Sequence, residues 1–262
     1  MTDRSSLRGV FDEDAELYDR VRPGYPGVVF DDLTAVAGLR PGARVLEIGC
    51  GTGQATVPLA ARGFRVTAVE LGPSMAAVAR RRLAASPGAE VVVSAFEDWP
   101  LPDEPFDAVV AATAFHWIDP AVAVVKCAEA LRPGGVLAVI ATHHVDGGSR
   151  DFFADVQECY ERFTPERPPR PRPSAAALVP ADSGETDRSG CFGPAVFHRY
   201  ERELPYTTDE YLDLLLSYSN HRALPAVLRE GLLACVRALI DGRYGGRVVK
   251  RYLTELRITR RL

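Results

Sequence analysis

Short apolar strands alternate with helical segments between residues 43 and 142, and this alternation limits the fold more than any other feature of the chain. Strands that are separated by helices form a parallel sheet, and right-handed crossovers place the helices on both of its faces. We therefore expect an α/β fold with a doubly wound sheet. The predicted strands cover residues 43–48, 64–70, 90–95, 106–113 and 134–142.

Further elements flank this alternating region. Two helices are predicted within residues 11–38, before the first strand. After the fifth strand, aromatic and aliphatic residues at helical spacing predict a helix over residues 149–163. A proline-rich stretch at 164–190 predicts an irregular excursion. The remaining predictions are a strand at 195–205, helices near 208–218 and 224–240, and a last strand within 248–262.

Composition and charge exclude several classes of protein. The chain has 262 residues, of which 47% are hydrophobic and 25% are charged, so it is long enough to bury a large core. That excludes a miniprotein held by disulfides and a disordered tail. The formal net charge of −4 gives no overall electrostatic attraction to nucleic acid.

Five cysteines lie far apart, without a CxxC pair or a Cys/His cluster of zinc spacing. We expect reduced thiols, no metal site and a cytoplasmic location. The charged N-terminal segment does not resemble a signal peptide, and no apolar run approaches the roughly 20 residues that a membrane helix needs. The cysteines are Cys50, Cys127, Cys159, Cys191 and Cys235.

A glycine-rich turn follows the first predicted strand, where open α/β sheets bind their ligands. Its glycines are Gly49, Gly51 and Gly53, and position 54 is Gln, so the spacing differs from the G-x-G-x-x-G of dinucleotide folds. The alternative is a purely structural turn. Glu47 precedes the glycines, and two unit charges about 4 Å apart interact by about 4 kcal/mol at an effective dielectric near 20. A pyrophosphate would be repelled, whereas an ammonium-bearing ligand such as S-adenosylmethionine would be attracted.

A second acid, Glu70, ends the second predicted strand. An acid at this place accepts hydrogen bonds from the ribose hydroxyls of a bound nucleoside. Taken alone, Glu70 would be interpreted as an exposed carboxylate beside a helix start. The combination with the glycine turn favours the nucleoside.

Several segments in order resemble the class I S-adenosylmethionine-dependent methyltransferases, in their type 11 branch. The resemblance covers about residues 11–142 and implies S-adenosylmethionine as the cofactor. It also implies a Rossmann-like sheet, mostly parallel with an antiparallel last strand, and a helical substrate cover. The similar segments are VLEIGCGTG (45–53), VTAVELGPSM (66–75), SAFEDWPLP (94–102), FDAVVAATAFHW (106–117) and ALRPGG (130–135).

The resemblance implies a set of cofactor-binding residues. Many relatives have an aspartate that reads the adenine amino group where this chain has Ala95. Glu97 is the expected substitute, and the alternative is a solvated loop carboxylate. Arg22 is expected to pair with the methionine carboxylate, although a surface charge is the alternative. The implied residues are Tyr18, Arg22, Glu47, Gly49, Cys50, Gly51, Gln54, Glu70, Leu71, Met75, Phe96, Glu97 and Ala112.

His116 follows the fourth strand and is the candidate general base, because an imidazole titrates near working pH. The alternative is that it packs the floor of the pocket. Of the adjacent His143 and His144, at most one is expected to face inward. Candidate substrate residues are Trp117, His143, Phe152, Tyr160 and Tyr211. Aromatic residues at helical spacing more often belong to the core, so only some of them are expected to contact a ligand.

The expected divisions are an N-terminal cover (1–40), a cofactor-binding core (41–145), a substrate cover (146–240) and the final strand (241–262). The expected function is methylation of a small molecule at O, N or C by a monomer or homodimer. Three rivals stay open: a nicotinamide oxidoreductase, a methyltransferase of RNA or protein, and a fold member without methylating activity. The basic C-terminal segment favours the nucleic-acid rival.

Overall fold

A computed structural model describes residues 11–166 and 173–262. After a short 3-10 turn at Phe11–Asp14, seventeen helices and strands follow in the described part of the chain. The helices are α1 (Ala15–Val21), α2 (Gly27–Ala37), α3 (Thr56–Ala61), α4 (Pro73–Arg82), α5 (Pro120–Ala130), α6 (Arg150–Phe163), α7 (Gly184–Ser189), α8 (Thr208–Leu216), α9 (Ser219–Arg222) and α10 (Ala226–Arg243). The strands are β1 (Arg44–Ile48), β2 (Arg65–Glu70), β3 (Ala89–Val93), β4 (Phe106–Ala112), β5 (Leu131–Val145), β6 (Val196–Thr207) and β7 (Arg247–Arg260).

The seven strands form one sheet in the order β3-β2-β1-β4-β5-β7-β6. The pairs from β3 to β5 are parallel, as the alternation of strands and helices predicts. Arg199 lies beside Glu255 and Glu203 lies beside Arg251, so β6 and β7 run in opposite directions. The expected fold class, a mostly parallel Rossmann-like sheet with an antiparallel end, is confirmed.

Strand β5 is longer than the predicted 134–142 and runs from Leu131 to Val145. Its pairing with β4 is irregular between Phe106 and Ala108, because Phe106 pairs with Leu131 and Ala108 with Val136. The strand begins directly where α5 ends, at Ala130.

The chain divides into two compact units. The first, the sheet unit, comprises residues 23–142, 181–200 and 254–262. The second, the helical unit, comprises the described residues 11–22, 143–166, 173–180 and 201–253.

These boundaries differ from the divisions expected at residues 40 and 146. Helix α2 belongs to the sheet unit because Val29, Phe30 and Leu33 are buried in the core that covers β1. Phe192 likewise packs into the core of the sheet unit.

The helical unit has a core of its own, to which α6, α8 and α10 contribute. A disulfide joins Cys159 of α6 to Cys235 of α10, with their Cα atoms 5.8 Å apart. The expectation of reduced thiols is wrong for this pair, because the two helices pack side by side although 76 residues separate the cysteines. Cys50, Cys127 and Cys191 are free thiols.

The proline-rich stretch lies only partly within the described residues, since 167–172 fall outside them. Its described part contains a 3-10 turn at Ala176–Leu178 and helix α7, which the sequence does not predict. Within 11–166 and 173–262, no helix is long and apolar enough to cross a membrane.

Candidate functional site

The glycine turn after β1 is held against β2. The Gly49 N–H donates to the Val69 carbonyl at 2.8 Å, and Gly49 has a φ of +66°, which favours glycine. A Cβ at Gly49 would lie only 2.7 Å from the Cβ of Ala114. Glycine is therefore required here both for the backbone conformation and for the close approach of the segment after β4.

The Glu70 carboxylate bridges two turns. Its Oε2 accepts from the Gly51 N–H at 2.8 Å, and its Oε1 accepts from the Gly72 N–H at 2.9 Å. The side chain thus fixes the turn after β1 to the turn after β2. Sequence reasoning missed this role and predicted only a ribose contact. Because a carboxylate oxygen accepts about two hydrogen bonds, both roles are compatible.

Glu47 is buried, with 1% of its surface exposed, at the end of β1. Burial raises the pKa of its carboxyl to about 7; the Thr56 side chain opposes this shift and the Glu70 charge adds to it. Among the described residues, Glu47 Oε2, Thr52 Oγ1 and Gln54 Nε2 are buried without a hydrogen-bond partner. Buried polar groups are normally satisfied, so this part of the turn is suited to a polar ligand.

The electrostatic argument from sequence changes with this burial. A carboxyl whose pKa is about 7 is only about half ionised at neutral pH, so the repulsion of a phosphate by Glu47 is weaker than expected. A bound ammonium would restore the charge, because an opposite charge nearby favours the ionised form. The neighbouring Cys50 is buried, and burial raises the pKa of its thiol, so it is a neutral packing residue.

The residues expected near an adenine ring differ in exposure. Leu71 is 39% exposed on the turn after β2, whereas Met75 and Phe96 are buried at 3%. Glu97 Oε1 accepts from the Asp119 N–H at 3.1 Å, and the Lys126 ammonium donates to the Glu97 carbonyl at 2.9 Å. Glu97 therefore also holds the loop after β3 against the start of α5.

The end of β4 contains a strained residue that sequence reasoning missed. Thr113, directly after Ala112, has a φ of +56°, which is uncommon for a residue other than glycine. Its N–H donates to the Ile140 carbonyl at 2.7 Å, and its hydroxyl lies 2.9 Å from the Tyr25 hydroxyl. Strained backbone of this kind is often found at functional sites.

His116 lies on a 3-10 turn at Phe115–Trp117 and is exposed. Phe115 and Ile118 are buried on either side of it and anchor the turn. The His116 and Trp117 ring centroids are 5.0 Å apart. An exposed imidazole at this place can exchange its proton with solvent, so the expected base role remains a prediction.

The remaining predicted residues belong to the helical unit. There the Arg22 guanidinium lies 4.9 Å from the Tyr18 ring centroid and donates to the Ser217 carbonyl at 2.9 Å. The Tyr160 hydroxyl lies 2.9 Å from His221 Nε2.

Phe152 and Tyr211 do not have the surface that a substrate wall needs. Phe152 is fully buried and Tyr211 is 4% exposed, and their ring centroids lie 5.3 Å apart in the core of the helical unit. We correct their expected role to packing.

His143 and His144 lie near the end of β5, each with a buried Nε2 that has no hydrogen-bond partner among the described residues. Burial and the nearby Lys250 charge lower the pKa of His144 to about 3, so its ring is neutral.

A mostly parallel seven-stranded sheet with a glycine turn after β1 and an acid after β2 is the fold of the Rossmann-like methyltransferases. Residues 46–139 of the chain match the methyltransferase domain family.

Two curated relatives illustrate the similarity. An uncharacterised methyltransferase of Mycobacterium tuberculosis is 42% identical over 123 residues, covering 47% of this chain and 48% of the relative. The demethylmenaquinone methyltransferase of Clavibacter sepedonicus is 33% identical over 139 residues, covering 51% of this chain and 56% of the relative. The chain thus spans about half the length of the curated relatives it matches.

A solved structure extends the similarity to most of the chain. A protein from Anaeromyxobacter dehalogenans, described as a candidate type II methyltransferase, is 28% identical with a TM-score of 0.60. The match covers 91% of this chain and 97% of that protein.

Proposed function

We propose that this protein transfers a methyl group from S-adenosylmethionine to a small molecule. The observation that carries the proposal is Glu47, a buried carboxyl with an unpartnered oxygen at the end of β1, directly before the glycine turn. The ammonium of the cofactor's methionine part is the complement that such a group needs, since a buried charge is stable only when it is paired.

The donor set of the sheet unit fits this cofactor. Glu47 would hold the ammonium and Glu70 would accept from the ribose hydroxyls while it bridges Gly51 and Gly72. The exposed Leu71 would pack on the adenine face. The spacing of Gly49, Gly51 and Gly53 argues against the nicotinamide rival, and the half-ionised Glu47 adds a weak repulsion of a pyrophosphate.

The bound cofactor would supply an electrophilic methyl group. The protein's own contribution is alignment, which lowers barriers by up to about 7–11 kcal/mol in favourable systems. His116 would take a proton from an acceptor that must lose one, a contribution of about 10²–10⁴-fold in rate. The exposure of His116 supports this role, because the ring can pass the proton on to solvent.

A small-molecule acceptor is favoured over RNA by the contacts of the basic C-terminal segment. Arg260 donates to the carbonyls of Gly134 and Val36, and Arg261 donates to the carbonyl of Leu131. Arg257 donates to the carbonyl of Asp182. These guanidinium groups therefore stabilise the sheet unit instead of presenting a row of donors to phosphates. The name of the relative from Clavibacter sepedonicus, a demethylmenaquinone methyltransferase, is also that of a small-molecule enzyme.

Formation of S-adenosylhomocysteine tests the proposal. The protein is incubated with S-adenosylmethionine and a panel of small phenols, amines and carboxylic acids, and the thioether product is quantified. Turnover that requires an acceptor and falls in a Glu47→Gln variant supports the proposal. Tight binding of the cofactor without turnover on any acceptor would favour a fold member that only binds it.

A further inference from the structure

A buried lysine surrounded by tyrosines lies within the helical unit. Its centre is Lys250 of β7, which is buried with 6% of its surface exposed. The Lys250 ammonium donates to the Tyr218 hydroxyl at 3.1 Å and lies 5.3 Å and 5.1 Å from the ring centroids of Tyr218 and Tyr252. We name Lys250, Tyr218, Tyr252, Arg22 and His144 the Lys250 cluster.

The charge of this cluster is not balanced by a carboxylate. Among the described residues, the Lys250 ammonium contacts the Tyr218 hydroxyl and the two rings, and no acid lies within ion-pair distance. A second cation, Arg22, lies 4.3 Å from the Tyr218 ring centroid, and its side chain contacts aromatic rings and the Ser217 carbonyl. Burying an ammonium without an anion is unfavourable unless a partner is supplied.

The neighbouring groups report the same excess of positive charge. Burial alone would raise the pKa of the Tyr218 hydroxyl, but Lys250 and Arg22 outweigh it and hold that pKa below its ordinary value. The His144 ring next to Lys250 is neutral, and its buried Nε2 has no hydrogen-bond partner in the described part of the chain.

Part of the cluster is accessible to solvent, and rings surround the lysine. Arg22, His144 and Tyr218 are each half-buried, whereas Lys250 is buried. Aromatic surface is provided by Tyr218, by Tyr252 and by Phe153, whose ring centroid is 4.4 Å from that of His144. Binding sites for small molecules combine apolar walls with a few convergent polar groups in this way.

We propose that the Lys250 cluster binds the carboxylate group of a small molecule, with the aromatic rings packing against its apolar part. The Lys250 ammonium and the Tyr218 hydroxyl provide the donors for the carboxylate oxygens, and Arg22 adds positive potential. The ammonium and the hydroxyl offer donors for two oxygens, so the cluster suits a flat carboxylate better than a phosphate, whose third oxygen calls for further donors. A free aromatic or aliphatic carboxylic acid presents this group.

Calorimetric titration of the full chain without cofactor provides the first test, with benzoate as the probe and benzamide as its neutral counterpart. We expect benzoate to bind at least tenfold more tightly than benzamide. Lys250→Met keeps the length of the side chain but removes the charge, and should weaken benzoate binding at least tenfold. Arg237→Gln is the matched control, because it removes an exposed cation that pairs with Asp209 on the same unit.

Thermal melting shows whether the variant is folded. A structural lysine would make Lys250→Met less stable, whereas loss of an unbalanced buried charge should leave the melting temperature unchanged or raised. Tyr218→Phe keeps the ring and removes one donor, so it should weaken benzoate binding by a few-fold even if Lys250→Met does not fold.

A second titration separates the Lys250 cluster from the proposed cofactor site. S-adenosylhomocysteine is titrated into wild type and into Lys250→Met. Weaker binding of benzoate with unchanged binding of S-adenosylhomocysteine supports a site for a free acid, whereas weaker binding of S-adenosylhomocysteine with unchanged binding of benzoate would overturn the proposal. The proposal would be overturned if wild type bound benzoate and benzamide equally well and if folded Lys250→Met and Tyr218→Phe bound benzoate as wild type does. Because benzoate is titrated without cofactor, this result is independent of whether the protein is a methyltransferase.

Discussion

The Glu70 carboxylate accepts a hydrogen bond from the Gly51 N–H at 2.8 Å, and its other oxygen accepts from Gly72. One side chain therefore sets the relative position of the turns after β1 and β2. The proposed ribose site and the proposed methionine site share this bridge, so cofactor affinity and local stability should depend on the same residue.

We expect Glu70→Ala to weaken S-adenosylhomocysteine binding at least tenfold and also to lower the melting temperature. Hydrogen bonds to a charged group contribute about 1.5–3 kcal/mol each, and the two backbone donors would lose their partner. Calorimetry and thermal melting measure the two effects. Glu90→Gln on β3, an exposed acid that accepts from Thr67, is the control and should change neither. Unchanged values for Glu70→Ala would show that the bridge has no energetic role.

Glu47 should make the stability of the ligand-free protein depend on pH. Its pKa rises from 4.5 in the unfolded chain to about 7 in the fold, so the folded state holds the proton more tightly. The contribution of Glu47 to the free energy of unfolding is complete below about pH 4.5. It is lost as pH rises through about 7, which lowers the free energy of unfolding by about 3 kcal/mol. Urea denaturation of wild type and Glu47→Gln at pH 5 and pH 8 measures it. The difference in the free energy of unfolding between wild type and Glu47→Gln should change by about 3 kcal/mol between pH 5 and pH 8. A difference that stays constant would show that burial does not raise the pKa of Glu47.

His116→Ala should lower turnover by roughly two orders of magnitude while cofactor affinity changes little, because a base acts only in the transition state. His116→Gln keeps a polar side chain without a base and should fail as badly. The rising limb of the pH–rate profile should disappear in both variants. The control is His198→Ala, which removes a histidine of β6 that is paired with Asp32. If Gln restored the rate, His116 would be a positioning residue instead.

Tyr25→Phe should destabilise the protein by about 1 kcal/mol, because it removes the hydroxyl contact with Thr113 that holds the strained residue after β4. Thr113→Gly relieves the strain but also removes the hydroxyl, so its effect should be smaller than that of Thr113→Val, which keeps the strain. Chemical denaturation of the three variants gives the order. A more stable Thr113→Val would show that the positive φ carries no strain.

The sheet could be predicted because strand and helix periods are local properties of the sequence. The glycine spacing and the acids at 47 and 70 likewise placed the candidate site at the ends of β1 and β2. The Glu70 bridge could not be predicted, because it depends on β1 and β2 lying side by side in register. The raised pKa of Glu47 depends on how deeply the side chain is buried in the fold, and no local sequence pattern predicts that.

Other features depend on contacts between distant segments. The pairing of Cys159 with Cys235 requires α6 to pack on α10, and the Lys250 cluster draws residues from the N-terminal segment, β5 and β7. The positive φ of Thr113 has no sequence signal, because threonine does not favour that conformation. Phe152 and Tyr211 showed helical spacing, which does not separate core from ligand-facing aromatics.

Calorimetric titration with S-adenosylhomocysteine and with NAD tests the central claim most directly, because it compares the two nucleoside ligands at the same turn. We predict binding of S-adenosylhomocysteine, at least tenfold weaker in Glu47→Gln, and no binding of NAD. Binding should be accompanied by proton release near pH 7, since the ligand's ammonium would lower the pKa of Glu47. Tight binding of NAD with no response to S-adenosylhomocysteine would contradict the account.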